Sequence, residues 1–374
     1  MNFEDDLIEL DNVEQINKLD KSNMYSYLCS IAKDTLNSYK KAKDVFLFAK
    51  NPIKNIVGAG MGGSGIPPIV IGSLFKNELK LPYTVSQDYN IPRFLNSQTL
   101  FIAISDSGET EEVISQYYYA KSRNATIIII GQGSRLIDIA KKDNIPYFDY
   151  KTSVPSRASF AFMFGSLLAC LENIDAIRNN VENSISQSVS VVDKLDKKIG
   201  IGINVKKNKA KQVALTLQTR IPILYIEPPF ESLGPRFAKM MNENAKKFAF
   251  YNNFPEIRHN EMMSWLPPSS KNGKFIPILL RDNIKNSKMN KEIEEIKKYF
   301  GPDYFEFRAM TGSTIARFYS LLHLIDMIAY YSAILIHKDP SETHELRELK
   351  QKLRHLSIIP YSTDTRIGKN NDTL

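Results

Sequence analysis

Two short stretches rich in glycine and hydroxyl residues are the parts of this chain best suited to hold an anion. The first, GAGMGGSGI (58–66), follows an apolar run and opens a helical stretch. Backbone N–H groups near Gly62 and Gly63, together with the Ser64 hydroxyl, can therefore converge on negative charge. The second, SDSGETEE (105–112), occupies the same position after a later apolar run. It offers Ser105, Ser107 and Thr110 around the turn at Gly108, a polar cup sized for one phosphate. Gly58, Gly60 and Gly63 also satisfy G-x-G-x-x-G, the pyrophosphate fingerprint of dinucleotide folds, and Asp88 is then the acid that would hold a ribose. A nicotinamide cofactor has no use for the second cup. The plain alternative for Ser107 and Thr110 is helix capping, with Glu111 and Glu112 complementing the helix dipole.

Three further residues have proton-transfer or charge-stabilising chemistry. Glu243, in FAKMMNENAKK, is a carboxylate that could act as a base, although Lys239 and Lys247 lie four residues to either side, as on a solvated helix face. His259, in PEIRHNE, carries an imidazole, a group that can both give and take a proton. Arg157, in SVPSRASFAFMFG, is expected in the first turn of a very apolar helix. A cation there opposes the dipole by about 0.3–1 kcal/mol, which is tolerated when an anion lies nearby or when the side chain reaches water.

These residues must be positioned by a repeating α/β cadence. An amphipathic helical stretch occupies residues 1 to 45. Strand candidates NIVGAG, LPYTVSQD, TLFIAISDS, ATIIIIGQG and IPYFDYK then alternate with helical stretches. The same order returns with IPILYIE, FAFYNN, FIPILLR and YFEFRAM, closing on a long apolar helix from Ser313. Alternation of this kind means parallel sheets covered by helices. The lysine-rich stretch around GIGIN reads as the linker, giving an N-terminal helical segment (1–45), a first domain carrying both loops (46–190), linker and helix start (191–210), and a second domain (211–374).

The chain has 374 residues, 43% of them hydrophobic, and a net charge of +8 spread over scattered lysines. The densest cluster, KKNKAK (206–211), has no interleaved aromatics and reads as a solvated helix start, not a nucleic-acid surface. No apolar run is long enough to span a membrane, and the acidic start MNFEDDLIELDN is unlike a targeting peptide. With only Cys29 and Cys170, expected to be buried and reduced, and five histidines without ligand spacing, a cytoplasmic protein without a metal site is expected.

GMGGSGI followed later by SDSGETEE resembles the sugar isomerase (SIS) family, whose domains hold a phosphosugar on a serine-rich loop. Two such halves without a glutaminase segment are similar to its bifunctional phosphoglucose/phosphomannose isomerases, over residues 45 to 355. The resemblance implies two SIS-type three-layer αβα domains. It also implies interconversion of fructose 6-phosphate with glucose 6-phosphate and mannose 6-phosphate through a cis-enediolate, without cofactor or metal. Carried over position by position, Gly62, Gly63, Ser64, Ser105, Ser107 and Thr110 hold the phosphate. Glu243 is the base, Arg157 the cation for the enediolate, and His259 the ring-opening group, shared into the neighbouring subunit of a homodimer. In HKDPSETHELRELK, Lys350 holds a sugar oxygen and Thr343 leaves room for rotation about C2–C3, which admits the mannose substrate. Glu109 departs from the pattern, where asparagine is usual. The second half has IEPPFESLGPR in place of a hydroxyl cup, so one phosphosugar site per chain is expected. Other readings are a non-catalytic phosphosugar-binding SIS regulator, which usually carries a helix-turn-helix, and a glucose-6-phosphate isomerase without mannose activity.

Overall fold

A computed structural model describes residues 9–45, 52–133, 135–152, 154, 157–177, 180–266, 273–284, 287–346, 348–349 and 352. Met1–Ser341 forms one compact unit and Glu342–Leu374 a second, in which 344–346 and 348–349 are helical. Everything below concerns the first unit unless stated.

The first sheet comprises β1 (Asn55–Ala59), β2 (Tyr83–Ser86), β3 (Thr99–Ser105), β4 (Thr126–Gly131) and β5 (Tyr147–Asp149), in the order β2-β1-β3-β4-β5 and all parallel. The second comprises β6 (Ile221–Ile226), β7 (Phe250–Asn253), β8 (Phe275–Arg281) and β9 (Phe305–Arg308), in the order β7-β6-β8-β9 and again parallel. The element-order repeat read from the sequence is thus a repeat of topology: in each sheet the chain steps outward once and then crosses back. Every residue of β3 is buried, as a central parallel strand covered on both faces requires.

The helices are α1 (Val13–Leu19), α2 (Met24–Ala42), α3 (Ile66–Leu74), α4 (Glu111–Ser122), α5 (Arg135–Lys142), α6 (Phe160–Asn173), α7 (Val181–Ile199), α8 (Lys209–Thr216), α9 (Leu233–Asn244), α10 (Ser287–Phe300) and α11 (Thr314–Ile334). α11 is buried almost all round, and α2 and α6 pack together in the same apolar core. That core runs without a break from Ile102 of the first sheet to Leu224 of the second. None of the helices among the described residues is long and apolar enough to cross a membrane.

Three sequence expectations change. Residues 191–199, read as linker, are the last turns of α7, so the non-helical connection begins only at Gly200. Lys211, read as part of a solvated run, is fully buried: its ammonium donates to the carbonyls of Ile201 and Ile203 and pairs with Asp11 at 3.2 Å. Cys170 is buried as expected, but Cys29 is only half-buried, and its thiol lies 3.4 Å from Asp196.

Candidate active site

In an open parallel sheet, ligands bind beyond the carboxyl ends of the strands where the chain order reverses. For the first sheet that point lies between β1 and β3, and both anion-suited loops leave from there. Gly62 has φ +55°, which a side chain resists, and a Cβ on Gly60 would collide with the Ser64 carbonyl. The loop then turns through Gly62–Gly65 directly into α3. This tight turn, with no acid on a ribose, accounts for the glycines. Asp88 is exposed and its carboxylate accepts from the Tyr89 N–H beside it at 2.6 Å.

The hydroxyls are already arranged. Ser64 Oγ accepts from the Asp106 N–H at 3.0 Å, which ties the first loop to the second. Ser105 Oγ accepts from the Gly108 N–H at 3.0 Å and lies 3.1 Å from Thr110 Oγ1. Ser107 Oγ accepts from the Glu109 N–H at 3.3 Å. Each serine oxygen thus spends a lone pair on a backbone donor, and its hydroxyl proton can rotate toward an anion or, for Ser105 and Ser107, toward Thr110 Oγ1. Thr110 is the residue before α4, but its side chain makes no capping bond, so capping does not explain these hydroxyls.

Glu109 turns away from the cup. Its carboxylate accepts from the Arg135 N–H, in the first turn of α5, at 3.4 Å. A helix N-terminus is a favourable place for a carboxylate, which is why an acid is tolerated one residue from the turn. Asp106 is likewise held off. Its Oδ1 accepts from Tyr150 Oη at 2.6 Å and Gln132 Nε2 at 3.2 Å, and Gln132 in turn accepts from the Thr152 N–H. Burial and the neighbouring Asp106 keep the Tyr150 hydroxyl protonated, as a donor should be.

The second half supplies the rest. Glu243, in the last turn of α9, does not pair with its helix neighbours. It accepts from Arg157 Nε at 3.0 Å, an ion pair between residues 86 apart in sequence. Lys239, one turn earlier, donates to the Gly62 carbonyl at 2.7 Å, and Lys247 bonds the carbonyls of Leu217 and Gln218 instead. The helix that carries Glu243 is therefore pinned to the glycine loop. Sequence reading missed Lys239. Its spacing from Glu243 is the signal, since residues four apart share a helix face.

Arg157 corrects a prediction. It lies in a turn ahead of α6, which starts only at Phe160, so no helix-dipole penalty arises. Nor does it reach water, since it is buried, with Nη1 on the Pro340 carbonyl at 2.5 Å. Burial lowers the guanidinium pKa, and Glu243 beside it opposes that shift. Arg236 fixes its backbone by donating to the Arg157 carbonyl at 3.1 Å while clamped bidentately by Asp326 at 3.0 and 2.7 Å. Among the described residues the other Nη of Arg157 and Oε1 of Glu243 make no hydrogen bond. The pair keeps one donor and one acceptor in reserve.

His259 ends an exposed 3-10 turn, and among the described residues its hydrogen bond is with Arg258. It is not brought to the Arg157–Glu243 pair within the chain. Thr343 falls in the second unit, and Lys350 lies outside the described residues. No group of three metal-ligating side chains is found among the described residues.

The equivalent point of the second sheet is filled by the protein itself. Glu227, after β6, accepts from Arg281 Nε and the Asp282 N–H, both at 3.0 Å. Arg281, fully buried at the end of β8, also holds Glu306 and Asn290, and Asp282 pairs with Arg317 at 2.8 Å. This interlocked set leaves no hydroxyl cup there.

Known proteins are similar to this chain in sequence over most of its length. Residues 206–353 match the model of the bacterial phosphoglucose isomerase C-terminal SIS domain. A bifunctional phosphoglucose/phosphomannose isomerase of Caldicellulosiruptor bescii is 29% identical, over 89% of this chain and 99% of its own. One from Aquifex aeolicus is 29% identical, over 81% and 91%. Residues 206–353 thus match a SIS domain, and over most of its length the chain is similar to bifunctional phosphoglucose/phosphomannose isomerases. A fold of the same kind is known: a hypothetical protein of Thermus thermophilus superposes with a TM-score of 0.69 at 13% identity, covering 94% of both chains. The first sheet bears the hydroxyl loops, and α9, which follows the first strand of the second sheet, carries Glu243 and the Lys239 that bonds the glycine loop.

Proposed function

We propose that this chain is an aldose–ketose isomerase that interconverts fructose 6-phosphate with glucose 6-phosphate and mannose 6-phosphate. The observation that carries this reading is the Arg157–Glu243 pair, delivered to the hydroxyl cup by a helix that Lys239 pins to the glycine loop. The phosphate would sit between Ser64 and the Ser105, Ser107 and Thr110 hydroxyls, with the N–H groups around Gly62 and Gly63. Glu243 would take the proton from the carbon beside the carbonyl and return it to its neighbour, C1 and C2 exchanging roles through a cis-enediolate. Arg157 would stabilise the negative oxygens of that intermediate. Thr343 and Lys350 keep their proposed roles in C2–C3 rotation and sugar binding on the sequence resemblance alone.

His259 would open the ring from the neighbouring subunit of a homodimer. Two features support this. His259 is exposed, and among the described residues its hydrogen bond is with Arg258, not with its own chain's Glu243. The segment around it is also unusually apolar at the surface: Phe248 is 77% exposed and Met263 71%, beside Phe250 on the edge strand β7. An exposed sheet edge lined by large apolar groups suits a protein–protein contact. We retain two SIS domains, one built on each sheet, with the boundary between them placed at Gly200, where α7 ends.

The reaction itself is tested by incubating the protein with fructose 6-phosphate in excess chelator and resolving the aldose phosphates. Both glucose 6-phosphate and mannose 6-phosphate are expected. Glucose 6-phosphate alone would remove the mannose activity, and no turnover would leave a phosphosugar-binding protein. The placement of Glu109 gives a second expectation. Because its carboxylate faces α5, Glu109→Asn should leave kcat/KM for fructose 6-phosphate within about twofold, as for a substitution away from the site. A tenfold fall in KM would mean instead that the carboxylate repels the phosphate.

A further inference from the structure

A second binding feature lies well away from the cup. Between β9, at the free edge of the second sheet, and helices α7, α8 and α11 is a cleft of ≈ 220 Å³. Its floor is apolar, built from Phe307 of β9 with Leu321 and Leu324 of α11. Its rim carries Lys198 at the end of α7 and Lys207 and Lys209 around the start of α8, all exposed. Arg308 is also at the rim, already engaged by Glu306 at 3.1 Å.

The charge here is one-sided. Among the described residues no acidic side chain lines the cleft. Among the described residues none of the three lysines is in an ion pair, and Lys209 donates only to Gln212 at 2.9 Å. The KKNKAK run thus divides: Lys211 turns inward to Asp11, while Lys207 and Lys209 stay at the mouth of an apolar hollow. Like charges gathered at one mouth raise the local potential and attract an anion, a dianion more strongly than a monoanion.

The floor restricts what that anion may carry. Ser320, the hydroxyl in the lining, is already used: it donates to the Arg317 carbonyl at 2.6 Å and accepts from the Met310 N–H at 3.0 Å. A sugar placed there would bury hydroxyls without partners, which is costly. An aromatic or short aliphatic body would instead cover Phe307 and the two leucines. The volume falls below the roughly 300–1,000 Å³ of sites for drug-sized ligands, so one or two fused rings are the limit.

We propose that this cleft binds a phosphomonoester with a small apolar body, as a ligand site separate from the hydroxyl cup. The test is a fluorescence titration with 1-naphthyl phosphate, run with saturating fructose 6-phosphate so that the cup is occupied. Saturable binding of one molecule per chain is expected, weakened at least tenfold in a Lys207→Glu, Lys209→Glu double variant. Both lysines are exposed and outside the isomerase site, so the double variant should keep its melting temperature and its turnover of fructose 6-phosphate. 1-Naphthol, which lacks the charge, and inorganic phosphate, which lacks the rings, should each bind at least tenfold more weakly. The proposal fails if no saturable binding survives fructose 6-phosphate, or if the double variant binds as tightly as the wild type. It also fails if inorganic phosphate competes as well as the naphthyl ester.

Discussion

Glu243→Gln is expected to lower kcat by about 10²–10⁴-fold, the usual contribution of a positioned acid–base group, while fructose 6-phosphate still binds. The amide keeps the shape of the carboxylate and its carbonyl can still accept from Arg157 Nε, which Glu243 does now at 3.0 Å. What it loses is the capacity to take a proton. Calorimetric binding of fructose 6-phosphate should therefore be near that of the wild type while turnover collapses. Activity within tenfold of wild type would remove Glu243 as the base. The same variant tests the shared site. Mixed with a His259→Ala chain, it should regain activity in mixed dimers, because one site would then combine an intact Glu243 with an intact His259 from the neighbour. Two inactive variants that stay inactive after exchange of subunits would place His259 elsewhere.

Arg157→Lys should lower kcat by about 10²–10³-fold, the cost of removing one preorganised donor from a developing oxyanion. The charge is kept, but the planar fork is not. Arg157 now uses that fork for two fixed contacts, Glu243 and the Pro340 carbonyl, with a third N–H group in reserve. An ammonium has three N–H groups but on one atom, so it cannot spread them over Glu243, the Pro340 carbonyl and an enediolate as the planar fork does. A purely structural arginine would instead show a lower melting temperature with kcat unchanged. The split between kcat and KM separates the two: loss in kcat at near-constant KM belongs to a group that acts on the intermediate.

Much of this site was legible because its first half is local. The hydroxyls of SDSGETEE and the glycines of GMGGSGI each follow a strand and precede a helix, so short-range pattern placed them at a strand end. Strand order then brought the two together, as the Asp106 N–H to Ser64 bond shows. The second half of the site was not legible in this way. Spacing alone favoured pairing of Glu243 with Lys239 and Lys247, because near neighbours on a helix face are the contacts that sequence displays. Its actual partner, Arg157, comes from the other half of the chain, and that proximity is set by how α9 and the turn ahead of α6 pack. Lys211 misled for the same reason: nothing within KKNKAK distinguishes the one lysine whose partners are Asp11 and two loop carbonyls. The direction of Glu109 likewise depended on α5, which starts many residues later.

The central claim is that a proton moves between C1 and C2 through an enediolate at this cup. The most direct measurement is mass-spectrometric and NMR analysis of the aldose phosphates formed from fructose 6-phosphate in D2O with excess chelator. Proton transfer by Glu243 predicts both glucose 6-phosphate and mannose 6-phosphate, each carrying solvent deuterium at C2. Aldose phosphates that hold only protium at C2 would indicate a hydride shift with no exchangeable base, and would contradict the account.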